Sequence, residues 1–336
     1  MNRTRPKIAA AIGALALAST LAACGGAADS STVKKVNPEW EKYTFTIGEQ
    51  SDGIVELAKE SGAFDSASYK IKFAKFEYGP PLVQAAASGD IDLGSVGAVP
   101  PITGAAKTLD FRIIAIQTPT DPNRALENII VPKGSPIKTI ADLKGKRIAI
   151  PQGSSAHGLA LNAIQSVGLT PKDVKFVFLP PADGQSAFTA GKVDAWAIWD
   201  PQSSLAISQG ARVIAKGVPP LDYGSQFYVG AKKTLDDPVK RKALADVLKR
   251  LAKAYGYAHE NPDKHVEALV KETGLDPKVI ESNIAAWSFK IGAVTPAQAK
   301  GEQKLADNFY QAGEIPTAVD VDDVIDNILP AGFGAS

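Results

Sequence analysis

Residues 147–169 read RIAIPQGSSAHGLALNAIQSVGL, and this stretch decides the fold class. Its first four residues form a short β-like run, and residues 154–167 have the apolar spacing of a helix. Gly153 and the two serines after it occupy the turn between them. A strand followed directly by a helix is the repeating unit of α/β proteins with parallel strands. The stretch therefore predicts one such unit with a glycine- and serine-rich turn.

Similar units precede this stretch. Residues 43–47 and 69–76 have strand patterns, each followed by a turn and a helix, at 54–62 and 82–88. A short strand at 91–93 leads into Gly94-Ser95-Val96-Gly97, which we expect to be a glycine-rich loop close to a ligand. Further strands are predicted at 111–116 and 128–131.

The chain continues in the same way on the other side. The break Pro132-Lys133-Gly134-Ser135-Pro136 is interpreted as the passage into a second lobe, because single cores stop growing near 300 residues. The remaining elements are predicted as strands at 174–179, 195–198 and 225–230, and as helices at 183–190, 239–257, 262–273, 277–286 and 296–310.

The N-terminus has the three parts of an export signal. Arg3, Arg5 and Lys7 precede an apolar run at 8–18 that is too short to span a membrane. Leu21-Ala22-Ala23-Cys24 then resembles a lipobox, and Cys24 is the only cysteine of the chain. We expect residues 1–23 to be a signal peptide, Cys24 to be lipidated, and residues 24–40 to be a flexible tether. The alternative is a leftover thiol in an ordinary secreted protein.

Composition excludes several classes of protein. Without the three basic residues of the signal, 34 Lys and Arg residues face 36 Asp and Glu residues, a net charge of about −2. A nucleic-acid-binding protein would have a basic excess or patch, so none is expected as a partner. No hydrolase elbow, phosphate-binding loop or zinc-protease motif occurs, and there are three histidines. We therefore expect no metal, no cofactor and no catalysis.

The turn at Gly153-Ser154-Ser155 suits an anion. The first amides of a helix have no intrahelical acceptor, and the helix dipole is positive at this end. The serine hydroxyls add donors, so a sulfonate, sulfate, phosphate or carboxylate could bind here. The ordinary alternative is a serine that only caps the helix.

Several motifs resemble aliphatic sulfonate-binding proteins of ABC importers. The resemblance spans nearly everything after the tether, and the motifs that carry it are SPIKTIADLKGK (135–146), QGSSAH (152–157), LPPAD (179–183), VDAWAIWDP (193–201) and GSVGAVPP (94–101). It implies a type II periplasmic-binding-protein fold, with two α/β lobes joined by two hinge crossovers and a ligand cleft between them. We expect residues 41–131 and 231–336 to form lobe 1, and residues 132–230 to form lobe 2.

The resemblance also implies a set of cleft residues. Hydroxyls and amides of Ser95, Ser154 and Ser155 are expected to hold an anionic head, and Trp199 is expected to face the ligand's tail or to be a core residue. Asp183 is interpreted as a helix N-cap in preference to a ligand group, and Asp200 as a turn residue. The full predicted set is Gln50, Gly79, Pro80, Ser95, Gly97, Ala98, Ser154, Ser155, His157, Asp183, Trp199, Asp200 and Phe227.

Two departures from the family pattern bear on the ligand. Ala98 and Gly184-Gln185 stand where relatives commonly have polar residues, which suggests a bulkier or more apolar tail. The function implied is capture of small alkane- or arylsulfonates for a membrane permease, by a monomer anchored on the outer face of the cytoplasmic membrane. Alternatives are taurine, nitrate, bicarbonate or a thiamine-pyrimidine precursor on the same scaffold, and then an enzyme built on this fold.

Overall fold

The computed structural model describes residues 37–50 and 52–334. The predicted signal peptide, Cys24 and most of the predicted tether lie outside the described residues. The end of that tether belongs to the folded body, because Pro38–Trp40 forms a 3-10 helix capped by Asn37. The Asn37 amide donates to Ser68 Oγ at 2.8 Å, and the Trp40 ring lies 6.0 Å from that of Tyr69. The tether predicted for residues 24–40 is therefore wrong for its last four residues.

A six-stranded sheet, the first sheet, contains most of the N-terminal strands. Its order is β11-β4-β10-β3-β1-β2, with β1, β2 and β3 parallel and β10 antiparallel to β3 and β4. Its strands are β1 (Thr44–Glu49), β2 (Lys70–Lys75), β3 (Leu93–Gly97), β4 (Phe111–Pro119), β10 (Gln226–Ala231) and β11 (Phe289–Gly292). Its helices are α1 (Ile54–Glu60), α2 (Gly79–Ser88), α3 (Val99–Ala105), α7 (Lys232–Leu235), α8 (Pro238–Glu260), α9 (Pro262–Thr273), α10 (Pro277–Glu281) and α11 (Pro296–Gln311).

A five-stranded sheet, the second sheet, has the order β7-β6-β8-β5-β9. Strands β7, β6 and β8 are parallel, with β7 at one edge, and β5 is antiparallel to both of its neighbours. Its strands are β5 (Glu127–Val131), β6 (Arg147–Ile150), β7 (Lys175–Phe178), β8 (Ala195–Trp199) and β9 (Arg212–Lys216), with helices α4 (Ser155–Ser166), α5 (Pro181–Thr189) and α6 (Gln202–Ser208).

Helix α8 shows how the sequence pattern forms the core. It has apolar residues at helical spacing, and each of them is buried against the first sheet and α1. This confirms the predicted stripe, whose members are Ala243, Leu244, Val247, Leu248, Leu251, Ala254 and Tyr255. The second sheet has a core of its own around α4.

The predicted loop 94–97 is wrong, because these residues form most of β3. They pair with β10 from Leu93 opposite Gly230 to Gly97 opposite Gln226. The glycines serve close packing in a strand, since a Cβ on Gly94 would lie 2.7 Å from Leu82 Cδ2 and 3.0 Å from the Gly48 carbonyl oxygen. Helices α3 and α6 and strands β9 and β11 were not predicted.

Two strands lie in the sheet opposite to their predicted lobe. Glu127–Val131 was assigned to lobe 1 but belongs to the second sheet, and Gln226–Ala231, assigned almost wholly to lobe 2, belongs to the first sheet. The chain passes to the second sheet after β4, before the break at residues 132–136 where the crossing was predicted. It returns to the first sheet after β9, before the strand at residues 225–230 that was predicted to end lobe 2. Strand pairing decides membership, and turn residues alone do not indicate which sheet a following strand joins.

Helix α11 also contacts the second sheet's helix α4. Asn308 Nδ2 donates to Asn162 Oδ1 at 2.9 Å and to Gln165 Oε1 at 2.8 Å, and Gln165 Nε2 donates back to Asn308 Oδ1 at 2.8 Å. Phe309 and Leu161 are buried in the same apolar cluster between these helices. We call the three amide side chains the amide seam. Within the described part of the chain, no helix combines the length and apolarity that crossing a bilayer requires.

Candidate ligand-binding site

A cavity of about 70 Å³ lies where elements of both sheets meet. One buried water needs roughly 10–15 Å³, so the cavity can hold a small molecule of several heavy atoms. Strands β1, β3, β6 and β8 end at or beside it, as expected for a crevice at the carboxyl ends of strands. Its lining residues are Gln50, Asp52, Gly79, Ser95, Gly97, Pro100, Leu126, Glu127, Ser154, Ser155, Trp199, Asp222, Gly224, Ser225, Gln226 and Trp287.

The first wall of the cavity consists of Gln50, Gly79, Ser95 and Gly97, from the first sheet and its helices. Ser95 is buried, and its hydroxyl donates to the side-chain oxygen of Gln117. Gln50 Nε2 donates to the Ser95 carbonyl oxygen at 2.7 Å, just beyond the point where β3 stops pairing with β1. The polar side chains of this wall are therefore fixed by one another.

The second wall consists of Glu127, Ser154, Ser155, Trp199 and Asp222, from the second sheet and its connections. Ser154 is the N-cap residue of α4, but its hydroxyl makes no capping bond and donates to the Pro151 carbonyl oxygen at 2.7 Å. Ser155 Oγ donates to Glu127 Oε2 at 2.7 Å. The amide of Ser155 precedes the first intrahelical bond, so helix geometry leaves it without an acceptor.

The two walls approach each other closely at Gly97 and Ser155. A Cβ built on Gly97 would lie 2.7 Å from Ser155 Cβ and 3.0 Å from its Oγ. Any side chain at residue 97 would push the walls apart, which gives this glycine a role in closing the cavity.

Glu127 and Asp222 form a pair of acids on the second wall. Glu127 is 3% exposed, and its Oε1 has no hydrogen-bond partner among the described residues. Burial, and after it the negative charge and hydrogen bond of Asp222, raises the pKa of Glu127 well above its ordinary value. Gly217 makes room for both, since a Cβ there would lie 2.8 Å from Glu127 Cγ and 3.3 Å from Asp222 Oδ2.

Asp52 is a third acid at the cavity, with a different environment. Tyr255 Oη donates to Asp52 Oδ2, and the Ile54 amide donates to Oδ1 at 3.1 Å. Burial outweighs these bonds and raises the pKa of Asp52 to about 6. Among the described residues that line the cavity there is no lysine, arginine or histidine.

The structure brings seven of the predicted site residues to this cavity, drawn from both sheets. They are Gln50, Gly79, Ser95, Gly97, Ser154, Ser155 and Trp199. The remaining six lie elsewhere, each for a physical reason.

His157 is directed away from the cavity. It is 1% exposed and lies between the rings of Phe176, Phe178 and Phe309, at centroid distances of 5.6, 5.2 and 5.1 Å. Its Nε2 lies 3.3 Å from Glu314 Oε2. Ser155 and His157 lie two residues apart on α4, so their side chains point to different sides of the helix. That of His157 enters the packing beneath α4 and does not line the cavity, contrary to the predicted contact with ligand.

The two predicted aspartates do not reach the cavity either. Asp183 is exposed on the third residue of α5, whose N-cap position is Pro180, so the N-cap interpretation is also wrong. Asp200 is a buried turn residue. Its carboxylate accepts hydrogen bonds from the Ser204 amide and hydroxyl, both at 2.9 Å, and from Asn283 Nδ2.

Three apolar residues complete the set. Phe227 is buried in the core under β10, Ala98 packs against the same cluster at the start of α3, and Pro80 lies in the first turn of α2. None of them lines the cavity. Neither Ala98 nor Gly184 lines the cavity, and Gly184 packs against Trp196, whose Nε1 a Cβ at Gly184 would approach to 3.0 Å. The argument for a more apolar tail therefore loses its basis.

The acids were missed by the sequence analysis. The predicted strand began at Asn128, one residue after Glu127, although an acid at the head of the apolar run ENIIV is itself a signal. Asp222 lies in the turn-rich stretch PPLDYGS, where no periodicity indicates which side chains face a site. Trp287 and Asp52 lack any local pattern that points to the cavity.

Comparison with known proteins identifies the family. The NMT1/THI5 like family matches residues 54–265. A protein of Escherichia coli strain K12, named putative aliphatic sulfonates-binding protein, is 34% identical over 85% of this chain and 89% of its own length. This chain belongs to the family of aliphatic sulfonate-binding proteins.

Solved structures of aliphatic sulfonate-binding proteins have the same fold. The alkanesulfonate-binding protein SsuA from Xanthomonas axonopodis pv. citri, bound to MOPS, superimposes with a TM-score of 0.78 at 33% identity, over 84% of this chain and 98% of that one. The periplasmic aliphatic sulphonate binding protein SsuA from Escherichia coli gives 0.74 at 33% identity, over 86% and 94%. The predicted fold class, a periplasmic-binding-protein fold, is confirmed.

Proposed function

We propose that this chain is the extracytoplasmic solute-binding component of an ABC importer, and that it captures small organosulfonates in the cavity between its two walls. One observation carries the proposal: polar residues from both sheets line one small cavity together with the start of helix α4, whose first amides have no intrahelical acceptor, in a chain of the aliphatic sulfonate-binding family. A sulfonate has no proton at neutral pH and accepts hydrogen bonds only, so such donors suit it.

Closure around the ligand is the signal that a permease would recognise. The Gly97–Ser155 approach shows the walls in contact, and a ligand bound by both walls would favour this state over an open one. Shifting such an equilibrium from about 1:99 to 99:1 takes roughly 5.5 kcal/mol of preference for one state. Charge-assisted hydrogen bonds of about 1.5–3 kcal/mol each supply this amount.

The N-terminal sequence completes the proposal. Signal-peptide removal before Cys24 and lipidation of that cysteine would hold a monomer at the outer face of the cytoplasmic membrane, near its permease. Labelled palmitate should enter the wild-type protein and not Cys24→Ser in the producing cells. Incorporation into both proteins, or into neither, would contradict the anchor.

The binding proposal is tested by a thermal-shift panel on residues 25–336 in Tris buffer. Organosulfonates should raise the melting temperature, because a ligand at 100 times its Kd adds about 2.7 kcal/mol to the free energy of unfolding. Nitrate, bicarbonate and an aminopyrimidine serve as the competing classes. A shift with one of these and none with any sulfonate would refute the proposal, and chemical change of a bound sulfonate would indicate an enzyme.

A further inference from the structure

The charges around the cavity do not match a simple alkanesulfonate. Three carboxyl groups, those of Asp52, Glu127 and Asp222, line it, and the lining residues within the described ranges include no cationic side chain. An anion that entered alone would lie beside three acidic groups in a site with little water and would oppose their ionisation. The open amides at the start of α4 can hold a sulfonate, but the three acids still lack a cationic partner among the described residues of the cavity.

Among the described residues, Glu127 is the acid at the cavity that most clearly lacks a hydrogen-bond donor. It is 3% exposed, its Oε2 accepts from Ser155 Oγ at 2.7 Å, and its Oε1 lacks a partner within the described structure. A buried carboxylate oxygen without a partner is destabilising, because it has lost its hydrogen bonds to water and gained none in the protein.

Asp222 places a second carboxyl group beside Glu127, which makes a cationic partner for the pair more favourable. Its carboxylate lies against that of Glu127 beside Gly217, and the Gly224 amide donates to Asp222 Oδ1 at 2.9 Å. Two carboxyl groups in contact can both be ionised only when a cation lies beside them, and otherwise they share a proton. Asp52 differs, because Tyr255 and the Ile54 amide already occupy its oxygens.

We propose that the ligand is a zwitterionic aminosulfonate whose ammonium group binds at Glu127 and Asp222, while its sulfonate accepts hydrogen bonds from the amides at the start of α4. This inference rests on the proposed function, since it assumes a sulfonate in the cavity. An ammonium group has three donors and a positive charge, which satisfies the free Glu127 oxygen and removes the repulsion between the acids.

The spacing of the groups limits the ligand further. The amide of Ser155 would bind the sulfonate, and the hydroxyl of the same residue donates to Glu127, which would bind the ammonium group. The binding groups for the two charged ends of the ligand therefore meet at Ser155. The amine must therefore be separated from the sulfonate by only a few carbon atoms. A cavity of about 70 Å³ agrees with a molecule of that size.

Two probes that differ in one group test the proposal. Taurine (2-aminoethanesulfonate) and isethionate (2-hydroxyethanesulfonate) share length and sulfonate, and only the first has an ammonium group. Isothermal titration calorimetry in Tris buffer at pH 7.5, free of sulfonate buffers, should give wild-type protein a Kd for taurine at least about tenfold lower than for isethionate. Equal affinities, or tighter isethionate binding, would overturn the inference but leave sulfonate capture intact.

Two variants locate the effect. Glu127→Gln should bring the two dissociation constants to within about threefold of each other, mainly by weakening taurine. Glu302→Gln is the matched control, because Glu302 on α11 is also buried with an unpartnered oxygen near Asp222 but does not line the cavity. It should retain the wild-type preference. A preference unchanged in Glu127→Gln, or lost equally in both variants, would contradict the assignment.

Failure of the proposed function has a different outcome. If wild-type protein binds neither probe nor any other organosulfonate in the thermal-shift panel, both proposals fall. If Glu127→Gln does not fold, the wild-type ratio of the two dissociation constants alone decides the inference.

Discussion

The two walls of the cavity differ in how their polar groups are satisfied. On the first wall, Ser95 donates to Gln117 and receives Gln50 at its carbonyl, so these groups have partners before any ligand arrives. On the second wall, Glu127 has one oxygen on Ser155 and one without a partner. The polar groups of the first wall are therefore preorganised, whereas the free Glu127 oxygen of the second wall would gain a hydrogen-bond partner only from a bound ligand.

This difference assigns separate tasks to the two sheets. A wall with its own hydrogen bonds keeps its shape whether or not ligand is present, and so it provides a fixed surface for closure. A wall with an unpaired acid penalises every ligand that cannot pair with it, which is how buried polar groups discriminate. Affinity would then depend on contact between the walls, and selectivity on the second wall.

The largest expected effect comes from separating the walls. Gly97→Ala places a methyl group 2.7 Å from Ser155 Cβ. Overpacking of this kind costs about 1–3 kcal/mol, which corresponds to a Kd about tenfold to a hundredfold higher. Calorimetric titration with the tightest-binding sulfonate measures it, and the melting temperature of the ligand-free protein should change little.

Gly94→Ala is the matched control on the same strand. Its methyl group would meet Leu82 and the Gly48 carbonyl oxygen, both on the first sheet's side of the cavity. The free energy of unfolding should therefore fall by about 1–3 kcal/mol, with a smaller loss of affinity. If Gly97→Ala destabilised the ligand-free protein as much as Gly94→Ala does, the role of Gly97 in closure would be wrong.

A smaller effect is expected from Asp52, the acid whose oxygens are occupied. Its pKa is raised from 3.8 to about 6, so between these pH values the native state keeps a proton that the unfolded state releases. The free energy of unfolding should then decrease as pH rises from about 4 to 6, by about 1–3 kcal/mol from this group, and level off above. Asp52→Asn should remove this part of the decrease.

Urea unfolding of wild-type and Asp52→Asn proteins at pH 4.5 and 7.5 checks the sign. Stability should fall less in the variant across this interval, and its preference between taurine and isethionate should stay within about threefold of wild type. Identical pH profiles in both proteins would show that the Asp52 carboxyl has an ordinary pKa.

The smallest effect on binding is expected at His157. Its ring lies among Phe176, Phe178 and Phe309, behind the second wall. His157→Gln should lower the free energy of unfolding by about 1–3 kcal/mol through lost packing, with affinity changed less than about twofold. Chemical denaturation and titration measure the two quantities. A tenfold loss of affinity at unchanged stability would restore the contact with ligand that the sequence suggested.

The regular parts of the fold were predictable from the sequence. The apolar stripe of α8 and the strand–helix unit at residues 147–169 have clear periodicity, and the structure contains both. Strands β9 and β11 are short, with five and four residues, and a pattern of period two is hard to distinguish over so few positions. Membership of a sheet depends on long-range pairing, so Glu127–Val131 was assigned to the other lobe.

The candidate site was predictable only where turns follow strands. Ser95, Ser154 and Ser155 lie at such points, and the structure brings them to one cavity. His157 illustrates the limit, because two residues along a helix turn a side chain from the cavity into the core. Asp222 and Trp287 reach the cavity through the path of the chain in three dimensions, which no local pattern encodes.

The amide seam between α4 and α11 has a mechanical consequence. Asn162, Gln165 and Asn308 exchange hydrogen bonds that water can replace, and each contributes only about 0.5–1.5 kcal/mol net. Phe309 and Leu161 lie beside them in one buried apolar cluster, whose exposure to water is unfavourable. If one sheet rotated relative to the other, the hydrogen bonds of the amide seam would therefore break first, and the apolar cluster around Phe309 would stay in contact and act as the hinge.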